Sequence, residues 1–170
     1  TFMNNIGICS GTYGTYCLYN DNIRFYHNTF YYTGNTYCAY IGYGVNQRVK
    51  NNIFYTTGTS AYALYAITTT GNFAEFDYNI MYAPLSTNYA YWNAAYTSLS
   101  ALKTAAPGYH TKSLSVMPNF VSTTAPLDLH VTNTVAPFTG DATANVPLDF
   151  DKEARCLMAP TIGADESKFN

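Results

Sequence analysis

Val49-Lys50-Asn51-Asn52-Ile53-Phe54-Tyr55 has an outline that returns along the chain. Phe25-Tyr26-His27-Asn28-Thr29-Phe30-Tyr31 and Phe76-Asp77-Tyr78-Asn79-Ile80-Met81-Tyr82 follow it, and Phe2-Met3-Asn4-Asn5-Ile6-Gly7-Ile8 follows it more loosely. Each copy has an apolar residue, an asparagine three places on, and usually an apolar residue two places after that. The asparagines Asn5, Asn28, Asn52 and Asn79 step by 23, 24 and 27 residues. A period of that length with no helical pattern inside it predicts one supersecondary unit stacked on the next.

A second register advances with the first. Tyr16-Cys17-Leu18-Tyr19 is echoed by Tyr37-Cys38-Ala39-Tyr40, Tyr62-Ala63-Leu64-Tyr65 and Tyr89-Ala90-Tyr91-Trp92, in steps of 21, 25 and 27. Two registers in phase predict two strands per coil, with equivalent residues stacked about 4.8 Å apart. Asn5, Asn28, Asn52 and Asn79 would then form an amide ladder that satisfies otherwise costly buried polar groups. Tyr19, Tyr40, Tyr65 and Trp92 would form an aromatic column. Asn20-Asp21-Asn22, Thr33-Gly34-Asn35, Thr56-Thr57-Gly58 and Thr70-Gly71-Asn72 supply the turns. An antiparallel sandwich rich in Tyr and Thr would give strands every 8–12 residues, without two ladders locked in phase.

These ladders, over residues 1–92, resemble the right-handed parallel β-helix family of pectate lyases, polygalacturonases, phage tailspikes and secreted bacterial surface proteins. The expected fold is all-β: about five coils, one short helix and an irregular C-terminal cap. The coils occupy 1–92, a last irregular coil with the helix 93–127, and a capping tail 128–170. The helix is expected in Tyr96-Thr97-Ser98-Leu99-Ser100-Ala101-Leu102-Lys103, with Thr97 or Ser98 as N-cap and Pro107-Gly108 as its end.

The later segments resemble the terminal part of the same bacterial family in their order. They run Thr97-Ser98-Leu99, Lys112-Ser113-Leu114, Met117-Pro118-Asn119-Phe120, Asp128-Leu129-His130-Val131, Val135-Ala136-Pro137-Phe138, Asp149-Phe150-Asp151 with Arg155, and Ile162-Gly163-Ala164-Asp165-Glu166. Leu102 stands where that family often has Trp, and Met117 replaces an Asp before Pro118. The resemblance implies that Ile162–Glu166 ends a whole protein as a cap on the last coil.

Charged residues make up only 11 % of the chain, while tyrosine reaches 18 residues. That mix suits strands and turns and argues against disorder. The net charge of −2 gives no electrostatic reason to bind nucleic acid. Residues 1–127 carry a net +2 and residues 128–170 a net −4, which marks a change from solenoid to tail. No apolar run reaches the 18 residues of a membrane span. The chain begins inside a repeat without a capping unit, which predicts a fragment, a processed N-terminus or an end that pairs with another molecule. Cys9, Cys17, Cys38 and Cys156 match no zinc spacing. Cys17 and Cys38, at one ladder position, are either a disulfide or two stacked free thiols.

The resemblance implies lyase chemistry, in which clustered acidic residues bind Ca²⁺ and an Arg or Lys serves as base on an acidic sugar. The candidates are Glu75, Asp77 and Lys50, with Lys50 and Asp77 also placed for a surface ion pair on neighbouring coils. A glycosidase needs two carboxylates close together, and only Glu75 and Asp77 are near each other in sequence. Asp149 and Asp151 are the calcium candidates of the tail, with turn residues as the plainer explanation. His27, His110 and His130 have no ligand spacing and fit surface histidines.

Tyr31, Tyr55 and Tyr82 directly follow inward Phe30, Phe54 and Met81. They predict an outward aromatic stripe that binds sugars by stacking, marks a protein contact, or simply rigidifies the sheet. Three functions follow. One is an extracellular or surface scaffold that binds polysaccharide, or like subunits through its N-terminal coil in a head-to-tail filament. The second is the C-terminal part of a polysaccharide lyase or glycosidase. The third is a phage or secretion-system spike.

Overall fold

A computed structural model describes residues 1–68, 71–132 and 138–167. Thr70 of one expected turn and Val135-Ala136-Pro137 of the tail motif lie outside the described residues. The chain is a parallel β-helix of four coils, rather than about five, and each coil carries three strands rather than two. The first has β1 (Phe2–Met3), β2 (Ile6–Cys9) and β3 (Tyr13–Leu18). The second has β4 (Arg24–Tyr26), β5 (Thr29–Tyr32) and β6 (Tyr37–Gly42). The third has β7 (Gln47–Lys50), β8 (Ile53–Thr56) and β9 (Tyr62–Ile67). The fourth has β10 (Phe73–Asp77), β11 (Ile80–Tyr82) and β12 (Ala90–Trp92).

The extra strand arises because the repeated heptapeptide straddles a corner. Asn4, His27, Asn51 and Tyr78 adopt φ of 54°, 52°, 59° and 53°. A single left-handed residue turns the chain sharply, so the residues before and after it join different sheets. The sheets are β1-β4-β7-β10, β2-β5-β8-β11 and β3-β6-β9-β12, with parallel pairing throughout.

The asparagine just after each corner is an uninterrupted ladder. Asn5 Nδ2 donates to Asn28 Oδ1 at 2.8 Å, Asn28 Nδ2 to Asn52 Oδ1 at 2.9 Å, and Asn52 Nδ2 to Asn79 Oδ1 at 2.9 Å. Each of those oxygens also accepts the backbone N–H of the preceding asparagine, and each Nδ2 donates to the carbonyl two residues back. Phe25, Val49 and Phe76 from one sheet, Phe30, Phe54 and Met81 from the next, and Ile41 and Leu64 from the third fill the interior. Burying each contributes about 1.5–3 kcal/mol.

The aromatic column differs from expectation. Tyr13 pairs with Tyr37 and Tyr16 with Tyr40, while Tyr19 sits at a corner and stacks on Tyr43 at 4.8 Å. Tyr13, Tyr16 and Tyr19 are three apart, so the sequence offers two registers three residues apart. At the other end Tyr91, not Trp92, lies over Tyr65. Trp92 turns inward onto Phe73 and Phe76 at 5.1 and 5.3 Å and fills the end of the core. The same shift separates Cys17, which pairs with Ile41, from Cys38, and all four cysteines are free thiols.

The far end of the solenoid is covered. β13 (Ala95–Tyr96) folds back antiparallel on β12. α1 (Leu99–Ala105) follows, its N-cap Ser98 Oγ accepting from Ala101 N at 3.2 Å and its Leu102 fully buried. Residues beyond it meet the last coil's open edge: His110 N donates to Phe76 O, and Leu114 exchanges bonds with Asn79 and Met81. Ser113 Oγ takes the ladder's final N–H, from Asn79, at 3.1 Å.

The tail then crosses the outer face of β2-β5-β8-β11. β14 (Phe120–Ser122) and β15 (Asp128–Val131) form a small antiparallel pair. Phe120, Leu129, Val131, Phe138 and Ile162 pack on Tyr31, Ile53, Tyr55 and Ile80. Among the described residues no helix is long and apolar enough to cross a membrane.

Candidate functional site

The three sheets give three outer faces, and each meets a different fate. The face bearing Tyr31, Tyr55 and Tyr82 points outward from the coils in register, but it is not an open binding stripe. Tyr31 and Tyr55 are 7 % and 6 % exposed and Tyr82 is half-buried, because the tail lies on them. Phe120 stacks on Tyr55 at 6.2 Å, and the Tyr31 hydroxyl reaches Thr123 O at 3.5 Å. The stripe belongs to a second hydrophobic core.

The tail is locked down at the corner residues. Asn51 Nδ2 donates to Asp141 O, and Asn51 Oδ1 accepts from Asp141 N at 2.8 Å. The same Nδ2 lies 2.8 Å from His27 Nε2, and His27 Nδ1 lies 3.1 Å from Thr161 O. A carbonyl accepts only, so Nδ1 carries the proton and Nε2 accepts. His27 is therefore a buried neutral imidazole, with burial and then the Arg155 charge lowering its pKa to about 3. His110 is buried too, beside Phe76 and Trp92, with its pKa lowered to about 3 by burial and then by Lys103. Neither is the surface histidine expected.

The second face, β1-β4-β7-β10, holds the charges. Arg24, Arg48 and Glu75 are in register, as are Tyr26, Lys50 and Asp77. Lys50 does not pair with Asp77. Its buried ammonium lies 2.7 Å from Asp141 Oδ2 and 3.0 Å from Glu75 Oε2, and it donates to Thr143 Oγ1. Burial alone would lower its pKa, but the hydrogen bonds to Asp141 and Glu75 raise it above the usual lysine value. Lys50 is held as a cation between two carboxylates. Asp77 Oδ1 accepts from Tyr78 N and Lys112 N at 2.8 and 2.7 Å, organising the turn beneath the last coil. Asp141, contributed by the tail, is the partner that sequence spacing missed; nothing near it repeats.

The tail carboxylates are likewise engaged. Asp149 Oδ1 accepts from Asp151 N and Glu153 N, and Oδ2 from Glu166 N, so Asp149 organises a loop of the tail. Asp151 instead faces His130 Nε2 at 3.0 Å, with Asp128 on His130 Nδ1. His130, Asp151 and Asp165 are close enough to hold a metal ion. The hydrogen bond to Asp128 raises the His130 pKa. Arg155 is buried among Thr161 O, Gly163 O, Ala164 O and Asn4 Oδ1, with Glu166 Oε2 at 3.1 Å.

The third face, β3-β6-β9-β12, is lined by tyrosine. Tyr13, Tyr37 and Tyr62 form one stacked column, with successive ring centroids 5.8 and 6.1 Å apart and nearly parallel rings. Tyr16, Tyr40, Tyr65 and Tyr91 form another, at 5.3, 4.9 and 4.2 Å. The columns also touch, Tyr37 and Tyr65 being 4.5 Å apart edge to face. The four strands contain no charged residue. Tyr16 is 55 % exposed, and Tyr40 and Tyr65 are half-buried. Burial first, and then Tyr91 and the other neighbouring phenols, raise the Tyr65 pKa to about 12. The Tyr65 hydroxyl stays a neutral donor and acceptor at any physiological pH. Repetition of Tyr-x-x-Tyr at steps of 24 and 25 was the available signal for this face.

No family model, curated protein or solved structure matches the chain.

Proposed function

We propose that the protein is a non-catalytic β-helix module, at work outside the cell or on its surface, whose tyrosine face binds a neutral, hydroxyl-rich polymer of the glycan class. The carrying observation is the pair of tyrosine columns on four strands that lack any charge. Tyrosine joins an apolar ring edge to a hydroxyl tip at low conformational cost, which suits sugars, with their mixed C–H and O–H surfaces. The rings lean on one another, so the face is preorganised and its hydroxyls repeat with the strand spacing of about 4.8 Å. The extracellular setting rests on that ligand class.

Like subunits are a second partner in this proposal. Phe2, Met3 and Ile8 are exposed on the first coil, where another coil adds by parallel pairing. The lyase or glycosidase alternative has less support, because Lys50, Glu75 and Asp77 are engaged as described.

Pull-down on insoluble neutral polysaccharides and a glycan array test the proposal. The native chain is expected to be retained and Tyr40→Ser with Tyr65→Ser to elute early, with circular dichroism unchanged. Equal retention of the double variant, or no retention of the native chain, overturns it.

A further inference from the structure

A groove runs between the outer face of β4-β7-β10 and the 3-10 turn Ala142–Ala144. It has a volume of about 380 Å³ and is lined by Arg24, Tyr26, Arg48, Glu75, Thr143 and Asn145. The tyrosine face lies on a different sheet and does not use it.

Arg24 and Arg48 are direct partners on adjacent parallel strands. Like charges opposite one another across a strand pair are destabilising. Here the obvious counter-charge is already shared. Arg48 Nε is 3.4 Å from Glu75 Oε2, and Lys50 holds that same oxygen at 3.0 Å. Asp141 is occupied by Lys50 and by Thr143. The Arg24 side chain has no hydrogen bond or ion pair among the described residues. Three cations, Arg24, Arg48 and Lys50, thus face two carboxylates, Glu75 and Asp141, in a protein whose net charge is −2. The groove is a local positive site on an acidic molecule.

We infer that this groove binds an oxyanion with three terminal oxygens, a sulfate or phosphate ester, between the guanidinium groups of Arg24 and Arg48. One guanidinium fork saturates the two oxygens of a carboxylate. Two forks present more donors than a carboxylate can accept and match a tetrahedral anion. The site is independent of the tyrosine face, and either can fail without the other.

Isothermal titration of the full chain at constant ionic strength tests this, with sodium sulfate, sodium phosphate and sodium acetate as probes. Saturable one-site binding of sulfate or phosphate is expected, with acetate at least about tenfold weaker. Arg24→Gln and Arg48→Gln should each weaken it about tenfold. Arg24→Lys, which keeps the charge and loses the fork, should fall between. Lys112→Gln, an exposed lysine at the far end, should change nothing. Glucose 6-sulfate against glucose 6-phosphate separates the two ester sources, and preference for either supports the site. Absence of saturable binding, acetate as tight as sulfate, or equal weakening by Lys112→Gln overturns it.

Discussion

Asn52 Oδ1 accepts two hydrogen bonds from Asn28, one from its side chain at 2.9 Å and one from its backbone at 3.0 Å. Asn52 Nδ2 in turn donates to Asn79 Oδ1, Lys50 O and Phe25 O. One fully buried side chain thus ties three coils together and meets backbone groups that strand pairing leaves at the corner.

Asn52→Ala is expected to destabilise the fold by about 3 kcal/mol or more, since it orphans several buried donors and acceptors at once. Asn52→Asp should be nearly as damaging despite its shape, because a carboxylate cannot donate to the two carbonyls it would face. Asn5→Ala, at a half-buried position, should cost about 1 kcal/mol. Urea midpoints measured with constant slope rank the three, and an Asn52→Ala midpoint close to that of Asn5→Ala contradicts the ladder's role.

The ladder and the solenoid were legible because a stacked coil repeats its own chemistry: Asn5, Asn28, Asn52 and Asn79 must be alike to bond to one another. Coil geometry was less legible. A one-residue corner leaves no turn signature when its residue is His27 or Tyr78, so two strands read as one. The Tyr13, Tyr16 and Tyr19 triplet offered two registers, and side-chain chemistry alone did not choose between them. The tail's contacts were illegible, since they join non-repeating residues such as Asp141 and Ile162 to the repeats. For that reason Tyr31 and Tyr55 read as a surface and are a core.

Asp141 couples the tail to the coils through Lys50, at 2.7 Å. Burial raises the Asp141 pKa, but the hydrogen bonds from Lys50 and Thr143 more than offset this and leave it below its ordinary value. A carboxylate with a depressed folded-state pKa stabilises above its unfolded pKa, about 3.9, and loses that contribution as pH falls through the lower folded value. Asp141→Asn should cost on the order of 1–3 kcal/mol at pH 7, with Glu75 the one carboxylate left to Lys50 among the described residues. The difference between variant and native chain should shrink below about pH 4. Denaturation at both pH values checks this, and a pH-independent difference argues against the pair.

His27 and His110 make the fold acid-sensitive in a higher window. Each is neutral when folded, with a pKa near 3, against about 6.5 unfolded. The unfolded chain binds more protons between those values, so stability is full above about pH 6.5 and declines as pH falls toward 3. Neither ring nitrogen of His110 has a hydrogen-bond partner among the described residues. His110→Phe keeps the contacts with Phe76 and Trp92 and removes a group that must stay uncharged. It should leave stability at pH 7 unchanged or raised, and flatten the decline between pH 6.5 and 4. Melting temperatures across that range decide it, and a variant with the native slope places the sensitivity elsewhere.

Gly163 seats the tail against the second and third coils. Its N–H donates to Asn51 O at 2.8 Å, and the next N–H, of Ala164, donates to Thr29 Oγ1 at 2.9 Å. Its φ of 109° disfavours any side chain, and a Cβ there would lie 2.7 Å from Ile53 Cδ1 and 3.0 Å from Thr29 Oγ1. Gly163→Ala therefore meets both backbone strain and a clash, and should cost about 2 kcal/mol or more. The cost should fall on the tail first, because the coils keep their own ladders and core. Uncovering Tyr31 and Tyr55 would then raise binding of an apolar dye and speed proteolysis after residue 114, while strand circular dichroism persists. Cooperative loss of the strand signal together with dye binding would show instead that coils and tail fold as one unit.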